Sequence, residues 1–373
     1  MRVALVHDYL NQRGGAERVF AHIARAYPDA PVYTALHDPS LTSDFIDPSR
    51  VRASWLQRLP AVHQYFRYLA PLYPRVFEGF DLRPFDTIVS STSAWAKGVV
   101  TPPAVTHVCY INTVSRFAFA YDAYVGGLVR RGATAPLAPF ARRLVQRLVA
   151  WDRRAAERPT AFIANSRNVA QRVKHFYARD AYVLPAPVDL ERFTVGAGRG
   201  DYALVVSRLL PYKRIDLAIV GCAQAGVPLR IVGTGPAESS LRSAARGTQT
   251  TFCGAISDAE LNRLMGDARA VIVPGEEDFG LVPLEAAAAG RPAIALGRGG
   301  ALETILPGVT GEHFFAAEPS ALAAILSRFD SARYDARALR AHAEQFSAQR
   351  FIERLRAIVD EVHEQTKVRA REG

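Results

Sequence analysis

The chain has 373 residues, more than one hydrophobic core usually supports, so two domains are expected. Its 49% hydrophobic, 10% aromatic and 22% charged composition is that of a globular protein and excludes a disordered or fibrous one. The net charge of +10 is uneven: residues 1–195 hold 25 Lys and Arg against 15 Asp and Glu, residues 196–373 hold 21 of each, and the two halves should face different partners.

Taken in chain order, Arg2 to Val6 predicts a strand that ends in His7 and Asp8. Gly15 to Tyr27 follows as a helix with Val19, Phe20, Ile23 and Ala24 on one face. The opening MRVALVHDYL turns polar too quickly for a signal peptide, and no run approaches the roughly 20 apolar residues that span a bilayer. Further strands are expected over Thr87–Ser90, Thr106–Ile111 and Ala161–Ala164. A second series covers Ala203–Val206, Leu229–Val232, Thr251–Phe252, Ala270–Val273 and Ala293–Ala295. Strands alternating with helices make parallel sheets, so the fold class is α/β, with two doubly wound sheets that bind ligands at their strand C-ends. The polar, glycine-bearing segment 189–201 reads as the linker. The expected domains are 1–195, 196–346 and a terminal segment 347–373, whose helix from Ser347 to Gln365 packs back across the boundary. Cys109, Cys222 and Cys253 are odd in number and far apart, which fits reduced packing residues and a cytoplasmic protein.

Several strand ends carry chemistry. Gly14 and Gly15 precede the first helix, where backbone N–H groups favour an anion. Arg208 and Lys213, in SRLLPYKR, are two cations spaced to hold a diphosphate. Gly233 in VGTGP and Gly254-Ala255 in FCGA end two more strands. Glu277 and Glu285 flank Phe279-Gly280-Leu281 between a strand and an alanine-rich helix from Leu284 to Ala289. Each alone reads as readily as a tight turn or a solvated cation. Placed together at the C-ends of one sheet, those of the second half suit a ligand with both hydroxyls and phosphates. The chain has no G-x-G-x-x-G after its first strand and no D-x-D motif. Asp8 and Glu276 lack a partner at metal-ligand spacing, so no metal or cofactor is expected.

These stretches, with EEDFGLVPLEAAAAGRPAIALGRGGALE above all, resemble the retaining glycosyltransferases of family 4, and the resemblance covers nearly the whole chain. It implies the GT-B fold, two Rossmann-like domains facing across a cleft. ALVHDYLNQRGGAERV, FDLRPFDTIVSSTSAWAKGV and AFIANSRNVAQRV resemble one branch, the bacterial mannosyltransferases that build lipopolysaccharide or exopolysaccharide from GDP-mannose. The resemblance implies that Glu285 binds the ribose and Glu277 the donor sugar. Phe279, Gly280 and Leu281 line the sugar and phosphates, and Arg208 and Lys213 neutralise the diphosphate. Gly14, Gly15, Gly233, Gly254 and Ala255 complete donor binding, and Asp8, Asn112 and Arg116 serve the acceptor. Where the branch carries a histidine that reaches the donor sugar, this chain has Asn112, which can hydrogen-bond a hydroxyl but cannot carry a proton charge.

The basic half carries APFARRLVQRLVAWDRRAAER, residues 138–158. On a helix, Phe140, Leu144, Leu148 and Trp151 share a stripe, while Arg143, Arg147, Arg154 and Arg158 lie elsewhere. Such a helix packs on a core or lies on an anionic membrane, here the inner face of the cytoplasmic membrane. No nucleic-acid motif accompanies the charge. The expected activity is transfer of a hexose, mannose first, to a glycan hydroxyl on a lipid diphosphate. A sugar-nucleotide epimerase or phosphorylase on the same fold and a non-catalytic sugar-nucleotide sensor are the alternatives. A phosphorylase needs a cofactor lysine, and the chain has only Lys97, Lys174, Lys213 and Lys367.

Overall fold

The computed structural model describes residues 1–115, 138–198 and 200–372. The chain divides into two compact units, residues 1–185 with 351–373, and residues 186–350.

In the first unit seven strands form one parallel sheet: β1 Val3–His7, β2 Val32–Thr34, β3 Val51–Ala53, β4 Thr87–Thr92, β5 Thr106–Ile111, β6 Ala161–Ala164 and β7 Ala181–Val183. Their order is β3-β2-β1-β4-β5-β6-β7, so the winding reverses between β1 and β4. Both faces of β4 and β5 are buried, which is why these strands read as unbroken apolar and hydroxyl runs rather than alternating ones. The first helix, Gly15–Ala26, buries Val19, Phe20, Ile23 and Ala24 as its pattern predicts. The terminal helix, Ala348–Glu372, belongs to this unit. Phe351, Leu355, Ile358, Val359 and Val362 make its buried stripe. Phe351 meets the Tyr110 ring edge-on at 5.5 Å, and Arg356 Nε donates to the Ala26 carbonyl at 2.8 Å. His363 Nδ1 lies 3.0 Å from Thr87 Oγ1 and 3.1 Å from Thr106 Oγ1.

The second unit has six parallel strands: β8 Ala203–Val206, β9 Leu229–Val232, β10 Thr250–Gly254, β11 Ala270–Val273, β12 Ala293–Leu296 and β13 Gly311–Phe314. The order is β10-β9-β8-β11-β12-β13, with the reversal between β8 and β11. Its core joins Val205, Ile231, Ile272 and Ile294 from the sheet to Leu217 and Leu322 from the covering helices.

Strands β2, β3, β7 and β13 are additions to the sequence reading. β2, β3 and β7, at three residues each, are too short for a periodic signal, and β13, GEHF, carries a single apolar side chain. The segment 189–201 is not a free linker. Gly196, Gly198 and Gly200 donate to the carbonyls of Ala289, Gly266 and Asp267, which lays the segment against the second unit. The basic helix, Ala138–Ala155, also departs from the expected stripe. Leu148 and Trp151 are buried, but Phe140 is 71% exposed. Arg158 lies beyond the helix end, where it pairs with Glu78 at 2.6 Å and donates to the Gly98 carbonyl.

Candidate functional site

In open parallel sheets the place for a ligand is outside the strand C-ends where the winding reverses. In the second unit that point lies between β8 and β11, and the segments that follow these strands are 207–214 and 274–280. Backbone bonds knit the neighbouring loops into one surface. Leu209 N–H donates to Thr234 O at 3.0 Å, Gly233 N–H to Gly254 O at 2.8 Å, and Gly300 N–H to Glu277 O at 2.8 Å. Gly233 has φ +125°, and a Cβ there would stand 2.0 Å from the Ser207 carbonyl oxygen, so only glycine fits.

The side chains follow from this frame. Arg208 leaves the end of β8 and is exposed. Lys213 closes the helical turn Pro211–Lys213, and its Nζ lies 2.6 and 2.7 Å from the two carboxylate oxygens of Glu277. The ammonium also stands 5.3 Å from the Tyr212 ring centre. Gly280, at φ +98°, starts the helix Leu281–Ala288, and Phe279 beside it is buried with its ring 6.1 Å from that of Phe346. A helix start leaves first-turn N–H groups pointing outward, which suits phosphate. Glu285 lies just over one turn along, with Oε1 3.3 Å from Arg192 Nη1. The helix begins at Leu281, not Leu284, because Pro283 is tolerated in a first turn. Gly254 and exposed Ala255 end β10 on the same rim. Arg208, Lys213, Gly233, Gly254, Glu277, the 279–281 backbone and Glu285 therefore gather at the C-terminal edge of one sheet.

The first unit gathers a second set where β1, β4 and β5 end. Asp8, 3% exposed, accepts from Thr92 Oγ1 at 3.0 Å and from the backbone N–H groups of Ser93, Ala94, Trp95 and Ala96 at 2.7–3.0 Å. Five donors occupy its two oxygens. Asp8 therefore shapes the loop after β4, and this replaces the expected direct contact with an acceptor. Asn112 Nδ2 donates to Ser91 Oγ and to the Thr92 carbonyl, both at 3.2 Å, which leaves Oδ1 as the atom suited to a ligand hydroxyl. Gly14 N–H is bound by the buried Glu17 at 2.9 Å, so exposed Gly15 presents the first-turn N–H of the pair. Arg116 lies outside the described residues.

Three features of the sites escaped the sequence reading. Arg192 braces Glu285 from 93 residues away. His7, stacked on Phe20 at 4.4 Å, donates from Nδ1 to the Ser91 carbonyl at 3.1 Å, while its Nε2 is buried without a hydrogen-bond partner. Burial pushes the His7 pKa below its ordinary value, against the opposing charges of Glu17 and Asp8. Asn11, in the loop between β1 and the first helix, is 7% exposed, and neither amide atom has a hydrogen-bond partner. Nothing in the sequence marks an unpaired amide.

Among the described residues, no group of three or more His, Cys, Asp or Glu is placed to hold a metal ion, and no helix is long and apolar enough to cross a membrane. Cys109, Cys222 and Cys253 are free thiols, and burial pushes the first two up to about 12. A groove of about 630 Å³ lies between residues 71–75 and the basic helix. Leu72, Leu148 and Trp151 line it with Arg75, Arg147 and Arg154.

Residues 189–346 match the family model described as glycosyl transferases group 1. The chain is 27% identical over 317 residues, 73% of each protein, to D-inositol 3-phosphate glycosyltransferase of Mycobacterium leprae. It is 40% identical over 91 residues, 23% of this chain and 22% of the relative, to glycogen synthase of Mycobacterium tuberculosis. Among solved structures, HepE of Anabaena in complex with UDP and glucose superposes with TM-score 0.72 at 21% identity, covering 97% of this chain and 100% of that one. Sucrose-phosphate synthase of Thermosynechococcus elongatus gives TM-score 0.72 at 17% identity, covering 96% and 98%. With the two Rossmann-like sheets, these neighbours make the fold GT-B.

Proposed function

We propose that this chain, a group 1 glycosyltransferase of the GT-B fold, is a retaining family 4 enzyme that moves mannose from GDP-mannose to a hydroxyl of a glycan carried on a lipid diphosphate. The observation that carries the reading is the meeting of Lys213 and Glu277 beside Arg208 at the switch point of the second sheet, with Glu285 on the adjoining helix. Arg208, Lys213 and the first-turn N–H groups after Gly280 hold the diphosphate. Glu277 accepts from hydroxyls of the transferred sugar, and Glu285 from the ribose. As the bond from C1 to the phosphate oxygen breaks, the leaving nucleoside diphosphate gains charge, and cations fixed in advance lower that barrier. The acceptor oxygen bonds C1 on the face that the nucleotide leaves, and the departing phosphate oxygen takes the acceptor's proton. The donor's charge falls to side chains, so the reaction calls for no metal. On the first unit, Asn112 Oδ1, the Gly15 N–H and Arg116 serve the substrates, and Asp8 acts through its loop. The basic helix, with exposed Phe140, Arg147 and Arg154, rests on an anionic membrane surface such as the inner face of the cytoplasmic membrane.

A UDP-hexose is the second reading, favoured by the UDP and glucose bound in HepE. Backbone groups near Gly254 and Ala255 would decide between the bases. Thermal unfolding with GDP-mannose, UDP-glucose and dTDP-glucose tests this, since a ligand at a hundred times its Kd adds about 2.7 kcal/mol. A shift with GDP-mannose alone supports the first reading, and a shift with UDP-glucose alone replaces the donor. Slow donor hydrolysis by the isolated protein should vanish in Glu285→Ala; unchanged turnover would sink the site.

A further inference from the structure

We propose that Arg192 is the positioning residue of Glu285 and that the braced carboxylate makes the protein prefer ribonucleotide donors over their 2′-deoxy counterparts. The proposal rests on the reading of Glu285 as the ribose-binding group.

Arg192 ends the helical turn Leu190–Arg192. Its Nε and Nη2 lie 3.2 and 2.9 Å from the two oxygens of Asp258, a fork on a fork, and its remaining nitrogen Nη1 lies 3.3 Å from Glu285 Oε1. The guanidinium carbon also stands 5.0 Å from the Phe193 ring centre. Bidentate pairing fixes the plane of an Arg, so the N–H offered to Glu285 points in one direction. The side chains of Arg192 and Glu285 are only 13% and 14% exposed, a setting in which such a contact is poorly screened.

A glutamate's terminal torsion is broad, and an unbraced carboxylate turns to suit whatever donors arrive. Here Oε1 is held by one N–H. The carboxylate keeps Oε2 and the outer lone pair of Oε1 for a ligand, which is the acceptor set for two vicinal hydroxyls. With a 2′-deoxyribose one of those acceptors goes unmet, and the fixed group cannot swing to recover it. A site built to bond a hydroxyl rejects the analogue without it.

The alternative is that Arg192 only fastens its own segment, but that task already belongs to Arg340. Its guanidinium donates to the carbonyls of Phe193 at 2.8 Å, Leu190 at 3.2 Å and Ala288 at 3.0 Å. Arg192→Met is therefore expected to fold.

The test measures binding of GDP and UDP, each beside its 2′-deoxy counterpart, to the full chain and to Glu285→Ala, Arg192→Met, Arg192→Lys and Asp258→Asn. For whichever base binds, the native chain should prefer the ribonucleotide about ten- to a hundredfold, the worth of a hydroxyl bonded to a carboxylate. Glu285→Ala should bring that ratio near one. Arg192→Met should lower it about tenfold by weakening the ribonucleotide alone, and Arg192→Lys should restore part of it. Asp258→Asn, which loosens the fork but keeps Arg192, should lower it less, and it carries the test if Arg192→Met unfolds. If Glu285→Ala abolishes the preference while Arg192→Met and Asp258→Asn keep it, Arg192 does not position the carboxylate. If Glu285→Ala itself keeps the preference, the ribose reading of Glu285 is wrong.

Discussion

Lys213 Nζ and the carboxylate of Glu277, 64 residues apart in the chain, form an ion pair with both carboxylate oxygens inside 2.7 Å. In the proposed function, the diphosphate cation and the sugar carboxylate are thus one unit before a donor arrives. An ammonium has three N–H donors, and two carboxylate oxygens leave one for a phosphate oxygen. Glu277 consequently aims the cation, a task beside the hydroxyl contact proposed for it.

Lys213→Met removes the fixed charge that the leaving phosphate meets in the proposed reaction. Loss of one such donor costs about 3–4 kcal/mol, roughly a hundred- to a thousandfold in kcat. The pair is only partly buried, so the unfolding midpoint should move by no more than a few degrees. Steady-state kinetics beside thermal unfolding checks this, and turnover within threefold of native would remove Lys213 from the site.

The assignment of the donor's charge to Arg208 and Lys213 also predicts the response to chelation. Activity measured after dialysis against EDTA should match the untreated protein, and added Mg²⁺ should not raise it. A loss restored by Mg²⁺ would show that the two cations do not suffice.

Acid should weaken the first unit through His107. Its Nε2 lies 2.8 Å from Ser90 Oγ, and burial, with Arg158 adding, pushes its pKa from 6.5 down to about 3. The unfolded chain therefore binds more protons between these values. The stabilisation is complete above pH 6.5 and is lost as pH falls toward 3. At pH 5 the loss from His107 should be about 2 kcal/mol. His7, His37 and His363 shift in the same direction, each through burial first. Denaturant unfolding at pH 7.5 and 5.0 should show the fall, and His107→Asn should shrink it. An equal fall in the variant would assign the acid sensitivity elsewhere.

Much of the second unit's candidate site was legible because one stretch, 270–300, holds a strand end, a left-handed glycine and a helix start in succession, each with its own local signal. Gly233 and Arg208 were legible for the same reason. The pairing of Lys213 with Glu277 was not, nor the brace from Arg192 to Glu285, since sheet order decides which loops meet. Asp8 shows the opposite failure. An acidic residue after a first strand looks available to a ligand, but the loop after β4, more than 80 residues later, supplies the donors that occupy it. Phe140 was misplaced because helical spacing marks a stripe without saying how far along the helix its partner extends.

Membrane association should depend on the groove face of the basic helix. Each Arg near an anionic surface contributes about 1 kcal/mol, so Arg147→Gln with Arg154→Gln should weaken binding by roughly thirtyfold at low salt. Co-sedimentation with phosphatidylglycerol vesicles measures it, with phosphatidylcholine vesicles as the neutral reference. Equal binding to both, or no effect of the double substitution, would separate the helix from the membrane.

That helix is fixed from beneath by Lys97 and Asp152, whose side chains are 1% and 0% exposed. Lys97 Nζ lies 2.5 Å from Asp152 Oδ1, and the carboxylate also accepts from Ser115 Oγ at 2.5 Å and Tyr177 OH at 2.8 Å. Burial by itself would lower the Lys97 pKa, but the Asp152 charge outweighs it and holds the ammonium well above its ordinary range. Asp152→Asn leaves that charge buried and uncompensated, and breaking such a pair costs about 3–5 kcal/mol. Lys97→Met with Asp152→Leu removes both charges and should recover more than half of the loss. Denaturant unfolding of the two variants decides the matter. A double variant as unstable as Asp152→Asn would mean that the hydroxyls of Ser115 and Tyr177, not the ion pair, are what the helix needs.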